Sequence, residues 1–579
     1  MLLFVKSYCI KRYNIFYLFS CFLLATPCLA QDITVTTSNY SVPASTTLTI
    51  NSVYMQGGTL TVPSTSKLIV NLDITYGPSG GTILVQDGGQ LTVNNINMNQ
   101  YSGTLNIGNN CVVILNNTLN AAANSTISIG TNTSVTATGD LNFNFVSFSA
   151  NTGANLIFTN ATIDGSSVVN MQQATLEVRS NFTFNSGTTN LLGGSSLKVN
   201  GNLNIKSAGK FYSKNASKIY LKGNWQNDHP AGSDFNVTGS ETILNLNGTT
   251  QQVNGQTGQN FYNVECVGNY IKTFLNNVTI TNLLDLGAST LYMDGGIITI
   301  NNPSPSSINR TTGFVANFEW NGTFVRNTNS TSDYLFPVGA KNNSGIWIYR
   351  PVILQPKQAT AGVYSVKAVY NTVTVHSVYD LGTSLIPRPS TPPPYPLNEK
   401  FYHKIERTSG PAVDITIFYD QSQDGTFNTI GQYKTTTNKW EAVANVQAGP
   451  VASPLISLKA LSVNDFSSPE FLVANGYVQV PLYSYAVLKS KPDGGYYLTE
   501  DKQLKFRFEE EYSVPTGTSL TYRVYDKSRN LKTLQNQNVS YGDNRYSVDV
   551  TSLTSGDFYW LEVENSKSEK WYLRFKVNE

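Results

Sequence analysis

The segment DQSQDG (Asp420–Gly425) places oxygen-bearing side chains at alternate positions and closes on a glycine. That is how a calcium loop begins, because a hard cation takes oxygen ligands and the glycine permits the sharp turn. The glutamate that completes such a loop is missing, and Gly431 holds the twelfth position. Asp420, Ser422 and Asp424 therefore read either as ligands of a calcium cofactor or as a polar turn between strands. A second group is aromatic: Tyr212, Tyr220 and Trp225, with Phe211 nearby, lie beside Lys210, Lys214, Lys218 and Lys222. Exposed rings would stack on sugar faces and the ammonium groups would meet an acidic polymer. The plainer reading has the rings packing inward and the lysines solvated.

Catalysis finds little material elsewhere. Residues 31–176 hold six charged side chains: Asp32, Lys67, Asp73, Asp87, Asp140 and Asp164. A glycosidase needs two carboxylates facing one bond, and a calcium-dependent lyase needs clustered carboxylates with a basic partner. These aspartates are isolated, and Asp140 and Asp164 fall where turn residues are expected. The histidines, His229, His376 and His403, have no metal-ligand spacing. No catalytic residue is assigned. The expectation is a non-enzymatic protein, with a carbohydrate-binding or polysaccharide-degrading protein as the alternative.

The elements that must carry these residues repeat. Leu60, Ile83, Leu105 and Ile127 recur at steps of 23, 22 and 22 residues. A second series runs Leu68, Leu91, Val113, Val135, Ile157, Leu176, Leu197, Ile219. A third runs Ile74, Ile96, Leu119, Leu141, Ile163, Phe182, Leu203, Trp225. Three short alternating strands per period of about 22 residues predict an all-β chain built on a parallel β-helix, with like residues stacked on like. Leu91, Ile96 and Leu105 should then stack on Val113, Leu119 and Ile127. Asn94, Asn116 and Asn160 should line one corner, with Asn200 and Asn202 near it, where asparagine tolerates tight turns. Cys111 and Cys266 read as buried free thiols.

The coils are expected over 31–310. Alternating strands such as GVYSVKAVY (Gly362–Tyr370) suggest a β-sandwich over 311–475, interrupted by the proline-dense spacer 386–396. Residues 476–579 are far richer in charge and read as a second, smaller sandwich. Residues 1–30 carry Lys6, Lys11 and Arg12 before an apolar run that ends in small residues. This is the pattern of a cleaved signal peptide. No later run is long enough to span a membrane. The formal net charge of +2 supplies no basic stripe for nucleic acid.

The coil pattern resembles β-helical segments of large secreted surface proteins and pectate-lyase-like folds. The final strands LTYRVYD, RYSVDVTSLTSG, FYWLEV and KWYLRFKV resemble the C-terminal sorting domain of type IX secretion cargo. The usual Pro-Asn-Pro is absent, and KSKPDGG (Lys489–Gly495) stands in its place. The resemblance implies a secreted or outer-surface adhesin-like protein, with the type IX machinery as partner and extracellular polysaccharide or surface components as further partners.

Overall fold

The computed structural model describes residues 31–474 except 231–241, 256–257, 318–321, 343, 371–397, 399 and 435–438, together with most strands between 497 and 577. The signal segment, His376 and the proline spacer lie outside the described residues. The chain is 60% strand and 1% helix and contains a β-solenoid of about 14 turns with coils of about 22 residues. It divides into two compact units, Met1–Arg179 with Asn185–Thr188, and Ser180–Phe184 with Thr189–Glu579.

In the first unit each coil contributes three short strands that pair in parallel with those of the next coil. Leu60 is beside Ile83, Ile83 beside Leu105, and Leu105 beside Ile127. Leu91 is beside Val113, and Ile96 beside Leu119. The strands alternate strictly, as in Thr82–Val85 and Thr104–Ile107, with every second residue buried. Parallel strands about 4.8 Å apart bring each inward side chain onto its equivalent. Fully burying one such leucine or isoleucine contributes roughly 1.5–3 kcal/mol. The inward columns therefore set the register.

The expected register slips at two places. Val135 pairs with Leu156, not Ile157, and Leu156 then pairs with Leu176. Leu141 pairs with Ala161, and Ile163 pairs with Phe143. In both strands a neighbouring inward residue, Leu156 or Ala161, holds the position that the more conspicuous isoleucine was expected to fill.

One corner of the coil explains a cysteine. Thr65, Gly88, Asn110, Asn132, Gly153 and Gln173 recur there with φ between 52° and 76°. The left-handed backbone turns the chain inward and favours glycine or asparagine. The next residue is small and buried each time, as Ser66, Cys111, Thr133, Ala154 and Ala174 are. Cys111 is one member of that column, and its Sγ lies 3.1 Å from the Gln86 carbonyl. Cys266 is a buried free thiol in the second unit, and burial pushes it up to about 12.

The second unit begins with similar coils. Leu197 is beside Ile219, Ile219 beside Leu244, and Leu203 beside Trp225. Gln251 and Lys272 are among the polar residues that point inward here. Gln251 donates to the carbonyls of Leu221 and Gly223, at 2.7 and 2.8 Å. Lys272 donates to Gln251 Oε1 at 2.7 Å and to the Gly248 carbonyl. Burial lowers the Lys272 ammonium to about 8. The lysine thus closes a corner by satisfying backbone acceptors that would otherwise be buried alone.

Parallel pairing continues past residue 310. Phe314–Asn317 pairs with Thr290–Met293, and Val338–Lys341 pairs with Phe314–Asn317. Thr323–Thr328 is the transition: it pairs in parallel with Ile297–Ile300 and antiparallel with Gly362–Tyr370. Beyond it Gly362–Tyr370, Phe401–Ser409, Glu470–Ala474 and Thr429–Lys434 form antiparallel neighbours. A second antiparallel sheet runs Tyr334–Phe336, Val352–Pro356, Val413–Asp420, Leu455–Val463, Val446–Ala448.

Arg326 sits in the transition strand, fully buried. It donates to the carbonyls of Leu335, Ser304 and Pro305 and to Ser307 Oγ, and stacks over Tyr334 at 5.2 Å. At the C-terminal end Leu520–Asp526, Phe558–Asn565 and Lys570–Lys576 form one antiparallel run. Leu504, Val524, Val548, Leu561 and Phe575 share the core there.

Candidate functional site

The expected calcium loop has other partners. Gln421–Asp424 is a single helical turn, and Asp420 is its N-cap. Asp420 Oδ1 accepts from Ser422 N at 2.9 Å, Ser422 Oγ at 2.6 Å and Gln423 N at 3.3 Å. These bonds, led by the Ser422 hydroxyl, hold its carboxyl below the usual carboxylate range. Asp424 takes a bidentate grip from Arg350, with Nε to Oδ2 at 2.7 Å and Nη2 to Oδ1 at 3.0 Å. Both side chains are nearly excluded from water, at 6% and 4% exposure. The alternate oxygens thus build a helix cap and a buried ion pair rather than converging on one point. Among the described residues no group of three or more histidine, cysteine, aspartate or glutamate side chains is placed to hold a metal.

His403 belongs to the same neighbourhood. Its Nε2 lies 2.7 Å from the Arg350 carbonyl, which can only accept, so Nε2 carries the hydrogen. The ring is fully buried against Phe401, and burial pushes it down to about 4. An unfolded histidine titrates near about 6.5. Between those values the unfolded chain binds a proton that the folded chain does not. Stability therefore falls as pH drops from about 6.5 to about 4, by up to about 3 kcal/mol. His403→Gln keeps a donor for the carbonyl and removes this contribution. Its melting temperature should fall less than that of the wild type between pH 7 and pH 4.5. Equal falls would show that His403 is not the group responsible.

The three aromatic candidates do not form one platform. Trp225 is fully buried and meets Phe261 edge-on at 5.4 Å, so it cannot stack on an external sugar. Tyr212 and Tyr220 are half-buried and lie on two different strands, Leu203–Ser213 and Lys218–Leu221. Lys214 sits over the Tyr212 ring at 5.8 Å.

Four aspartates of the first unit bond across turns or between coils. Asp73 accepts from Asn94, Asn95 and Asn97. Asp87 accepts Asn109 N and Nδ2, Asp140 accepts Asn160 N and Nδ2, and Asp164 accepts Gly165 N and Ser186 Oγ. The asparagine corner exists, and of the expected members Asn160 and Asn202 bond within it, joined by others. Asn95 Oδ1 accepts Thr118 N in the first unit. In the second, Asn181 accepts Asn202 N, Asn202 accepts Asn224 N and Asn224 accepts Gln252 N, at 2.8–2.9 Å. Asn160 takes part as the donor to Asp140. An outward amide ladder, Asn97 to Asn120 to Asn142, runs along one face with 2.8 Å bonds.

One column with chemical potential escaped the sequence reading. Lys198, Tyr220, Asn245, Glu265, Asp285 and Asn309 are successive register partners in the second unit. Glu265 and Asp285 are thus adjacent carboxylates one coil apart. Glu265 accepts from Asn245 at 2.8 Å, and Asp285 caps Gly287 N at 2.9 Å. The signal was available: the two acids are 20 residues apart, close to the coil period, but that part of the chain repeats less evenly. No protein-family model matches this chain, and no curated protein shows significant similarity to it.

Proposed function

We propose that the chain is a secreted or outer-surface structural protein, adhesin-like and without catalysis of its own. Its coils act as a rigid spacer. The two antiparallel sheets between Tyr334 and Ala474 form a β-sandwich that follows it. The C-terminal strands act as a type IX sorting domain. The observation carrying this reading is the exterior of the first unit's coils. There Asp73, Asp87, Asp140 and Asp164 all accept hydrogen bonds across turns or between coils. A surface of amides and hydroxyls that bond to their own neighbours stiffens a rod and offers no acid–base pair. The signal-like segment at 1–30 and the VTSLTSG turn support export. The alternative, a polysaccharide-active coil, is favoured by one feature, the adjacent Glu265 and Asp285.

Removing residues 477–579 tests the sorting claim. The truncated protein should fail to reach the cell surface and accumulate in the periplasm, as followed by protease shaving of intact cells. Normal surface delivery of the truncated chain would defeat it.

A further inference from the structure

A cationic aromatic surface lies on the outer side of four strands in the second unit: Thr290–Met293, Phe314–Asn317, Val338–Lys341 and Trp347–Tyr349. Register places Tyr292 beside Ala316, Ala316 beside Gly339, Gly339 beside Tyr349 and Lys341 beside Trp347. Leu291, Met293, Val315 and Val338 point inward and are fully buried. Their neighbours Tyr292, Trp347 and Tyr349 are half-buried on the opposite side. The rings lean together over a floor of small residues. Tyr292 and Trp347 lie 5.2 Å apart, and Phe314 and Tyr349 lie 5.5 Å apart. A Cβ added at Gly339 would come within 2.5 Å of the Phe314 ring, so only glycine allows the rings to settle this low.

Two cations complete the surface. The Arg310 guanidinium stacks 4.2 Å from the centre of Tyr349, and the Lys341 ammonium lies 5.4 Å from the centre of Trp347. Arg310 Nε donates to the Gly313 carbonyl at 2.6 Å, which fixes the guanidinium on the ring. Among the described residues neither cation has a carboxylate partner. Ile346 beside them is 61% exposed. Aromatic rings that served only as core would be covered, and cations that served only solubility would not be held on ring faces.

We infer that this surface binds an acidic polysaccharide whose units are uronates. The C–H faces of pyranose rings stack on Trp347, while Tyr349 holds the Arg310 guanidinium in place beside it. The uronate carboxylates pair with the planar fork of Arg310 and the ammonium of Lys341. A neutral sugar would leave the cations unused, and an acidic peptide would leave the rings without a flat partner. The inference rests on the reading of the chain as extracellular. A negative binding result would leave the truncation test of delivery untouched.

The test uses the full chain without residues 1–30, and immobilised polygalacturonate and alginate. Dextran is the neutral control, and polyglutamate is the acidic control without rings. The protein should be retained on both uronate polymers and on neither control. Trp347→Ala and Lys341→Glu should each weaken retention at least tenfold, and 0.5 M NaCl should weaken it as well. Lys341→Glu changes a partly exposed side chain, so it separates lost binding from lost folding. No retention on the uronates, equal retention on polyglutamate or dextran, or indifference to both substitutions would each overturn the proposal.

Discussion

Replacing Arg350 with alanine should destabilise the region around Val413–Asp420 by about 3–5 kcal/mol, the cost of removing one partner of a buried ion pair. Asp424 would be left at 4% exposure with its bidentate donor gone. Asp420 N also donates to Asp424 Oδ2 at 2.8 Å, so the helical turn and its cap would loosen together. Asp424→Asn should cost a comparable amount, because the guanidinium would then be the stranded charge. The double change Arg350→Met with Asp424→Leu should cost clearly less than the two single changes summed, since it leaves no buried charge unpaired. In thermal unfolding of the full chain the single variants should lose roughly 10 °C in the transition assigned to this region. Hydrogen exchange at Val352–Pro356 and Val413–Asp420 identifies that transition. The same samples decide the calcium question. Added calcium should leave the wild-type transition unmoved, because both oxygens of Asp424 are already bonded. A rise in melting with calcium, lost in Asp424→Asn, would restore the loop as a metal site.

The contrast between coils and sites shows what alternation can convey. Inward positions of a parallel coil are read directly where, as with Leu91 and Val135, an apolar residue stands alone between polar neighbours. In ANLIF, leucine and isoleucine are adjacent, and only the pairing of Phe158 with Val178 shows which one points inward. At Ala161 the inward residue is small enough to pass for a turn. Trp225 illustrates a different gap. Composition announces an aromatic among lysines, but only the parity it shares with Asn227 makes it core. The calcium motif is ambiguous in sequence because a D-x-S-x-D spacing serves an N-cap as well as a cation. The partner that decides, Arg350, lies 74 residues from Asp424. That parallel pairing continues past 310 was not legible, because the antiparallel strands that join at Thr323–Thr328 alternate much as the parallel strands do. A change of partner direction leaves no mark on alternation.

If the coil is a true modular unit, deleting a whole period should be tolerated where deleting half is not. Removing Leu91–Val112 joins Gln90 to Val113. Val113 then takes the place of Leu91, Leu119 that of Ile96 and Ile127 that of Leu105, as their register pairing allows. Asp87, which now caps Asn109 N, would meet Thr131 N, the group that Asn109 Oδ1 caps at present. Each coil contacts chiefly its neighbours, so the loss is close to one repeat and one interface. Removing only Leu91–Tyr101 joins Gln90 to Ser102. Ser102 and Thr104 would then occupy the inward positions of Leu91 and Val93, which are fully buried. Each unsatisfied buried hydroxyl costs about 1–3 kcal/mol. Leu105 would fall at the outward position of Asn94, which forfeits roughly 1.5–3 kcal/mol, and Asn109 would replace the buried Met98. The whole-coil deletion should retain a cooperative melt within a few degrees of the parent, which is about the precision of the repeat-additive picture. The half-coil deletion should lose cooperative unfolding in the first unit, seen as early loss of far-ultraviolet strand signal. Equal damage from both would mean that the coils are not interchangeable. Equal tolerance would mean that the inward columns do not set the register.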